Sequence, residues 1–426
     1  MCVWPYHLSH HMTPIPPSLS HHFTRTYTSE VSDFYRTLYK KHAFTPDVSF
    51  PDGMSSWEKI PFLTRADIAR TRVANRTFVP WNTVGTIRST SGTSKGGVLV
   101  FPRMPGSPSL YDDVLKEARC VMTFLYPAHT MAESLPLARV YAGDSGELRA
   151  AARIIQLTHV DTLHGSPLTL LRLCSHLSRE AAEHIRILAL SMDLCTRLQK
   201  EALYTAYPHA QHAHLYGSTE QQGHGAFSLS PHGDLSPIIF LSALDFFYEV
   251  VDNEGRSVAP GERGELISTS GIETQKALPL IRYRTGDRAT LVAYEGTRAR
   301  FMVHGRATDE SIRIPGGIII NDELEQVIKT LYPDALDYRV VVREERQDAR
   351  VVPVIHCTII TRTHTSSATQ NDTERFAAHL RINERHSYLD GLKEGLYGPL
   401  HLDLITPHDE PATKQRRLVD LRDGNH

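Results

Sequence analysis

Hydrophobic and polar positions alternate with different periods along this chain, and each change of period marks an element. Over residues 30–43 (EVSDFYRTLYKKHA), Phe34, Leu38 and Tyr39 share one helical face with charges opposite. A Pro/Gly-rich connector leads to PFLTRADIA, where Thr64 can cap a helix that carries Asp67 in its first turn. From about Val84 the pattern becomes strand, loop, strand, as VGTIRS, TSGTSKGG and VLVF. Helix and strand then alternate. Pro167–Leu177 is predicted helical, His184–Leu190 a short apolar strand, Cys195–Ala206 a helix and His212–Tyr216 a strand. That alternation predicts βαβ units and a mainly parallel sheet, hence an α/β fold.

After Leu235 the period shortens. IIFLSALDFFYEVVD, a DNEG turn and GELISTS predict antiparallel β structure. A third region starts near Gly305. It holds a strand, a helix over NDELEQVIKTLY with Leu324, Val327, Ile328 and Leu331 inward, and the hairpin RVVVREERQDARVVPVIHC. Thr361–Thr373, rich in Ser and Thr, is expected to be a flexible loop.

At 426 residues the chain has room for two or three domains and a large core. Apolar content of 41% and charged content of 22% fit a soluble globular protein, expected in the cytoplasm. A formal charge of −2 gives no bulk attraction to nucleic acid or anionic membrane. No apolar run approaches the roughly 20 residues of a membrane span. The five cysteines (Cys2, Cys120, Cys174, Cys195 and Cys357) form no C-x-x-C pair, so neither a zinc site nor a disulfide framework is indicated. His7, His10, His11, His21 and His22 lie among prolines and serines, and residues 1–29 are expected to be a disordered extension rather than a metal site. His209, His212 and His214 lack the companion carboxylate or cysteine that a metal site needs.

Five motifs carry chemistry. TSGTSKGG (Thr90–Gly97) offers backbone N–H groups, the hydroxyls of Ser91, Thr93 and Ser94, and the charge of Lys95, with Gly92 allowing close approach to phosphate oxygens. It is not a Walker loop, and a flexible hairpin turn is the plain alternative. YGSTE (Tyr216, Gly217, Ser218, Thr219, Glu220) joins a ring that can stack on a purine to a carboxylate that can hold magnesium bridging phosphates; a strand-ending turn is the alternative. In LPLIRYRTGD (Leu278–Asp287), Asp287 follows a glycine at the end of a strand and can accept both ribose hydroxyls, or can hold its own turn. Arg306 of GRATDESIRI can bond ribose or phosphate, or simply face solvent. Lys414 sits in the basic run KQRRLVDLR, which is otherwise a solvated face.

In this order the five motifs resemble the adenylate-forming superfamily of acyl-CoA synthetases, and most of all its phenylacetate–CoA ligase family. FYRTLYKKHAFTPD with WEKIPFLTRADI, HGSPLTLLRL, FFYEVVDNEGRSVAPGERGELISTS and ATKQRRLVDLR extend the similarity over roughly Val31–Arg422. The resemblance implies a large N-terminal domain (30–305) that binds ATP and acid, a hinge (306–310, turning about Thr308–Asp309) and a small mobile α+β domain (311–426). It implies a two-step reaction: a carboxylate, aryl or otherwise hydrophobic, attacks the α-phosphorus of ATP and releases pyrophosphate, and the acyl group then passes to coenzyme A. By motif, Ser91, Gly92, Thr93, Ser94 and Lys95 hold phosphates, Tyr216 lines the adenine pocket, and Gly217, Ser218 and Thr219 belong to the same cofactor-binding segment. Glu220 binds magnesium, Asp287 holds the ribose, Arg306 supports it, and Lys414 is the mobile lysine of adenylation. A homodimer is compatible with the resemblance.

The chain departs from the family pattern at SGTSKGG, at Thr308, at Pro315-Gly316-Gly317 and at Ser191-Met192-Asp193, the last where many members carry Gly-Ala-Glu. Those departures leave two other outcomes open. One is an adenylating enzyme that loads a protein thiol, with Cys120, Cys174, Cys195 and Cys357 as candidate acceptors, although the favoured reading of each is a small buried hydrophobe. The other is a nucleotide-binding relative without catalysis.

Overall fold

Several helices in this computed structural model begin where the sequence supplies an oxygen to cap them. Thr64 with Asp67, Thr196 with Gln199, Thr369 with Asp372 and Ser387 with Asp390 each form a reciprocal capping box, satisfying backbone donors that the first turn leaves unpaired. The structure describes residues 17–45, 57–89, 99–104, 110, 114–124, 138–141, 148–270, 275–306, 311–315, 317–347, 350–362, 368–383, 385–407 and 417–421. The phosphate-loop residues Ser91, Gly92, Thr93, Ser94 and Lys95, the hinge pair Thr308–Asp309, and Lys414 lie outside the described residues.

The chain forms two compact units. The first comprises Met1–Leu110, Tyr216–Phe227 and Ile239–Val303; the second comprises Tyr111–Leu215, Ser228–Ile238 and His304–His426. In the first unit the strand Arg263–Ser270 pairs antiparallel with Phe246–Val251 on one side and Tyr283–Glu295 on the other. Phe240–Ser242 pairs antiparallel with Arg298–Arg306 and with Gly223–Ser230. A separate hairpin joins Thr86–Ser89 to Val100–Arg103. Its core gathers Phe34, Tyr35, Leu38, Tyr39, Trp57, Leu63, Leu280 and Ile281.

Pro17–Tyr27 is helical and buries Leu19 and Phe23, whose ring stacks on Tyr39 at 5.8 Å. The packed chain therefore starts before residue 29, because apolar side chains at helical spacing within the His-rich stretch find a core to enter.

In the second unit Ala138–Tyr141, Cys120–Thr123, Thr162–Gly165, Ile187–Leu190 and the start of Gln211–Ser218 pair parallel in that order. Helices Leu148–Leu157, Pro167–Cys174, Arg179–His184 and Arg197–Ala206 connect them, as the alternating pattern predicts. The first of these was not evident from the sequence, though Leu148, Ala151, Ala152 and Ile155 are buried at helical spacing.

The same unit holds a four-stranded sheet ordered Leu400–Ile405, Arg350–Thr361, Ala335–Gln347, Leu418–Asp420. Helices Asn321–Leu331 and Gln370–His379 bring Leu324, Ile328 and Phe376 to a core shared with Val340, Ile355 and Leu402. The expectation of a flexible loop over Thr361–Thr373 is corrected at its two ends, while residues 363–367 lie outside the described residues. Thr361 is paired in a strand, and Thr369 caps a helix that starts at Gln370, because Ser/Thr richness signals a cap as readily as a loop.

Among the described residues no helix is long and apolar enough to cross a membrane.

Candidate active site

Two segments far apart in sequence meet at Tyr216 and Asp287. Tyr216 lies in the strand Gln211–Ser218, with its ring 5.7, 6.0 and 5.8 Å from those of Phe240, Tyr248 and Phe301. Its hydroxyl donates to Asp287 Oδ2 at 2.6 Å. Burial, and then the negative charge of Asp287, push the phenol well above its ordinary value, so it stays a donor.

Asp287 does not end a strand. It lies within Tyr283–Glu295, and the ladder explains why it projects. Glu265 pairs with Arg288 and Ile267 with Arg284, so Thr285, Gly286 and Asp287 bulge opposite Leu266. Gly286 takes φ +76°, which a side chain resists. Thr285 Oγ1 donates to Leu266 O at 2.7 Å and accepts from the Asp287 N–H at 3.1 Å. The sequence pattern T-G-D is thus a bulge that aims a carboxylate.

The turn after Tyr216 is equally specified. A Cβ on Gly217 would collide with the carbonyl of Gly223, so glycine is required there. Ser218 Oγ accepts from the Gln221 N–H at 3.3 Å, and the Gln222 N–H closes the turn on Thr219 O at 3.0 Å. Gln221 is wholly buried and donates to Tyr248 and Ser268.

Glu220 is buried and ion-paired with Arg65. Gln275 donates to its carbonyl at 2.9 Å. Arg88 Nη1 donates to Gln222 O at 2.7 Å. Sequence reasoning missed Arg65, Arg88, Gln221 and Gln275. Only Arg65 carried a signal: a cation at the first position of a helix opposes the helix dipole, which asks for a compensating carboxylate. Arg306, the last residue of Arg298–Arg306, is exposed.

A second polar cluster stands at the carboxyl ends of parallel strands, where α/β sheets place ligands. His164 lies between Thr123 Oγ1 at its Nδ1 and Ser191 Oγ at its Nε2, each at 3.0 Å, with all three side chains buried. Met192 follows at φ +74°.

The four described cysteines suit an apolar interior better than an acyl acceptor. Cys120, Cys195 and Cys357 are buried and Cys174 half-buried. Burial raises all four thiols, Cys195 to about 12, which suppresses the reactive thiolate.

No protein-family model matches the chain. The phenylacetate–coenzyme A ligase of Escherichia coli (strain K12) is 34% identical to it over 118 residues, 27% of this chain and 26% of that protein, so the match spans about a quarter of the relative. The crystal structure of 2-hydroxyisobutyryl-CoA ligase in the postadenylation state with 2-HIB-AMP superposes at a TM-score of 0.70 with 17% identity, covering 98% of this chain and 94% of that one. The same ligase with 2-HIB-AMP and CoA in the thioesterification state superposes at 0.57 with 17% identity, covering 95% and 88%. This chain shares the mixed α/β fold of the 2-hydroxyisobutyryl-CoA ligase structures.

Proposed function

We propose that this chain activates a carboxylic acid with ATP and passes the acyl group to a thiol, with coenzyme A as the acceptor and an aryl or other hydrophobic acid as the substrate. The observation that carries the reading is the Tyr216–Asp287 pair, an aromatic pocket wall and a projecting carboxylate brought together by a strand and a bulge. Such a pair can hold the adenosine of a nucleotide, with Asp287 accepting from ribose hydroxyls. The relatives named above, one a phenylacetate–CoA ligase and one captured with an acyl-AMP and CoA, support the choice of reaction.

In the first step a carboxylate oxygen bonds to the α-phosphorus and the bond to pyrophosphate breaks. In the second, a thiolate sulfur bonds to the acyl carbon and AMP leaves. Two anions must meet in the first step, so cations must offset their repulsion. Lys95, in the loop Thr90–Gly97, faces the phosphates in this reading, and Lys414 supplies charge at the α-phosphoryl. Glu220 is the residue that would hold a magnesium ion, since such an ion takes one or two carboxylates alongside phosphate oxygens, and Arg65, now paired with Glu220, would have to yield to it. Magnesium, when bound, neutralises phosphate charge.

One lysine near the C-terminus cannot serve adenylation and also leave room for a thiol. The segment 311–426 is therefore proposed to turn about 306–310, with Arg306 at the base of the hinge steadying the ribose.

The test is ATP–pyrophosphate exchange over a panel of carboxylic acids, followed by thioester detection with and without coenzyme A. Exchange that depends on one acid class and is lost in Lys414→Ala supports the reading. No exchange with any acid, or full exchange in Lys414→Ala, overturns it.

A further inference from the structure

The four-stranded sheet near the C-terminus has one apolar and one polar face. On the strand Leu400–Ile405, Leu400, Leu402 and Leu404 are buried while His401 and Asp403 face solvent. His356 and His401 are direct partners across the parallel pair, with their rings stacked at 4.4 Å and only 15° apart. Glu345 reaches the same place from the next strand, Ala335–Gln347. The ligand atoms of Glu345, His356 and His401 all lie within 4.8 Å of one another. Nothing in the proposed reaction uses them.

We propose that Glu345, His356 and His401 form a binding site for a divalent transition-metal ion, zinc above all, on the open face of this sheet. Two imidazoles and one carboxylate are a donor set that zinc takes readily, with water completing a tetrahedron. Oxygen-seeking magnesium and calcium are disfavoured by the two nitrogens. Zinc ligands at 2.0–2.1 Å stand about 3.3 Å apart, so the three side chains, whose ligand atoms now lie within 4.8 Å, would rotate inward to close the site. Glu345 and His401 are exposed and His356 half-buried, which leaves an open path for the ion.

The ion would tie three adjacent strands of the four together, from residues 345 to 401 in sequence. Its effect is a staple that raises the stability of this sheet when metal is present, because an ion that binds only the folded chain stabilises it by mass action.

The test is calorimetric titration of the full chain with zinc chloride, in parallel with cobalt(II), whose visible absorption band reports nitrogen ligation. Four proteins are compared: wild type, His401→Ala, His356→Asn, and a control in which His7, His10 and His11 are all changed to Asn. The expected result is one tight equivalent in wild type and in the control, weakened by about tenfold or more in both sheet variants. The wild-type unfolding midpoint should rise with zinc and that of His401→Ala should not. His401 is exposed, so its replacement leaves the fold intact. Zinc affinity and midpoint shift equal to wild type in His401→Ala would overturn the proposal, as would loss of the tight equivalent in the N-terminal control alone. Magnesium alone should produce no shift in this sheet; a magnesium shift that His401→Ala abolishes also overturns it.

Discussion

Removing the carboxylate of Glu249 should destabilise the first unit by about 3–5 kcal/mol, the cost of stranding one member of a buried ion pair. Its partner, Arg282, is the first arginine of LPLIRYRTGD, and both side chains are 0% exposed. Arg282 Nε donates to Glu249 Oε2 at 3.3 Å, and Nη2 lies 3.2 Å from Oε1 without hydrogen-bond geometry. Trp57 Nε1 donates to the same carboxylate at 2.7 Å. Arg282 Nη1 also donates to the carbonyls of Trp57, Glu58 and Ile60, and Nη2 to that of Gly255. Its backbone sits at φ +47°, a conformation that costs a non-glycine residue about 1 kcal/mol and that these bonds hold in place.

The two halves of the pair should not be equivalent. In Glu249→Gln the guanidinium keeps its four carbonyl acceptors, so the chain folds with the 3–5 kcal/mol loss. In Arg282→Met those four carbonyls lose their donor at about 1–3 kcal/mol each, a sum that reaches the whole stability of an ordinary domain. Arg282→Met should therefore fail to fold. The assay is urea denaturation followed by tryptophan fluorescence, since Trp57 touches the carboxylate. A Glu249→Gln midpoint shift worth less than about 1 kcal/mol, or an Arg282→Met protein that unfolds like wild type, would refute this account of the motif.

Asp287→Ala should weaken ATP binding by about 10- to 150-fold, the worth of a charge-assisted hydrogen bond of about 1.5–3 kcal/mol, and calorimetry that shows no change would remove Asp287 from the site. Acid should unfold the protein early. Burial, with Lys200 and then His232 adding, pushes His212 down to about 3, burial with Arg88 does the same to His224, and His214 is driven well below its usual range. These groups refuse a proton that the unfolded chain accepts near 6.5, so their contribution is full above that pH and lost as pH falls toward 3. At pH 5 His212 and His224 each cost about 2 kcal/mol, and a urea midpoint that stays flat from pH 7 to 5 would contradict it. Gly217→Ala should collapse exchange activity or folding because its Cβ meets the Gly223 carbonyl; a wild-type rate would mean that the turn can open. Thr308→Pro should impair either pyrophosphate exchange or single-turnover transfer from preformed acyl adenylate far more than the other, and equal losses would move the hinge elsewhere.

The motifs stand out in the sequence because each is short and locally over-determined, yet what binds two of them together was not legible there. WEKIPFLTRADI and LPLIRYRTGD read as two separate similarities. In the structure they form one object. The Leu63 N–H donates to Arg282 O at 3.1 Å, the Arg284 N–H to Leu63 O at 2.9 Å, and Arg282 grips the carbonyls of Trp57, Glu58 and Ile60. Tyr35, from the first helical stretch, donates to Pro279 O at 2.7 Å and accepts from the Ile281 N–H at 2.9 Å. The clamp fixes the segment that carries Thr64 and delivers Arg65 to Glu220, while five residues after Arg282 the strand that starts at Tyr283 presents Asp287 to Tyr216. Periodicity finds a strand or a helix because burial repeats within a few residues. It cannot find a guanidinium that reaches across 225 positions to a backbone carbonyl, since no local pattern encodes that partner. The bulge at Gly286 shows the same limit from the other side: T-G-D reads as the end of a strand, and only the pairing of Glu265 and Ile267 on the neighbour reveals that the strand continues. A basic residue and an acidic residue in one motif therefore have different tasks. Under the proposed function Arg282 frames the site and Asp287 contacts the nucleotide, so their substitutions should separate in the laboratory as lost folding against lost ATP binding.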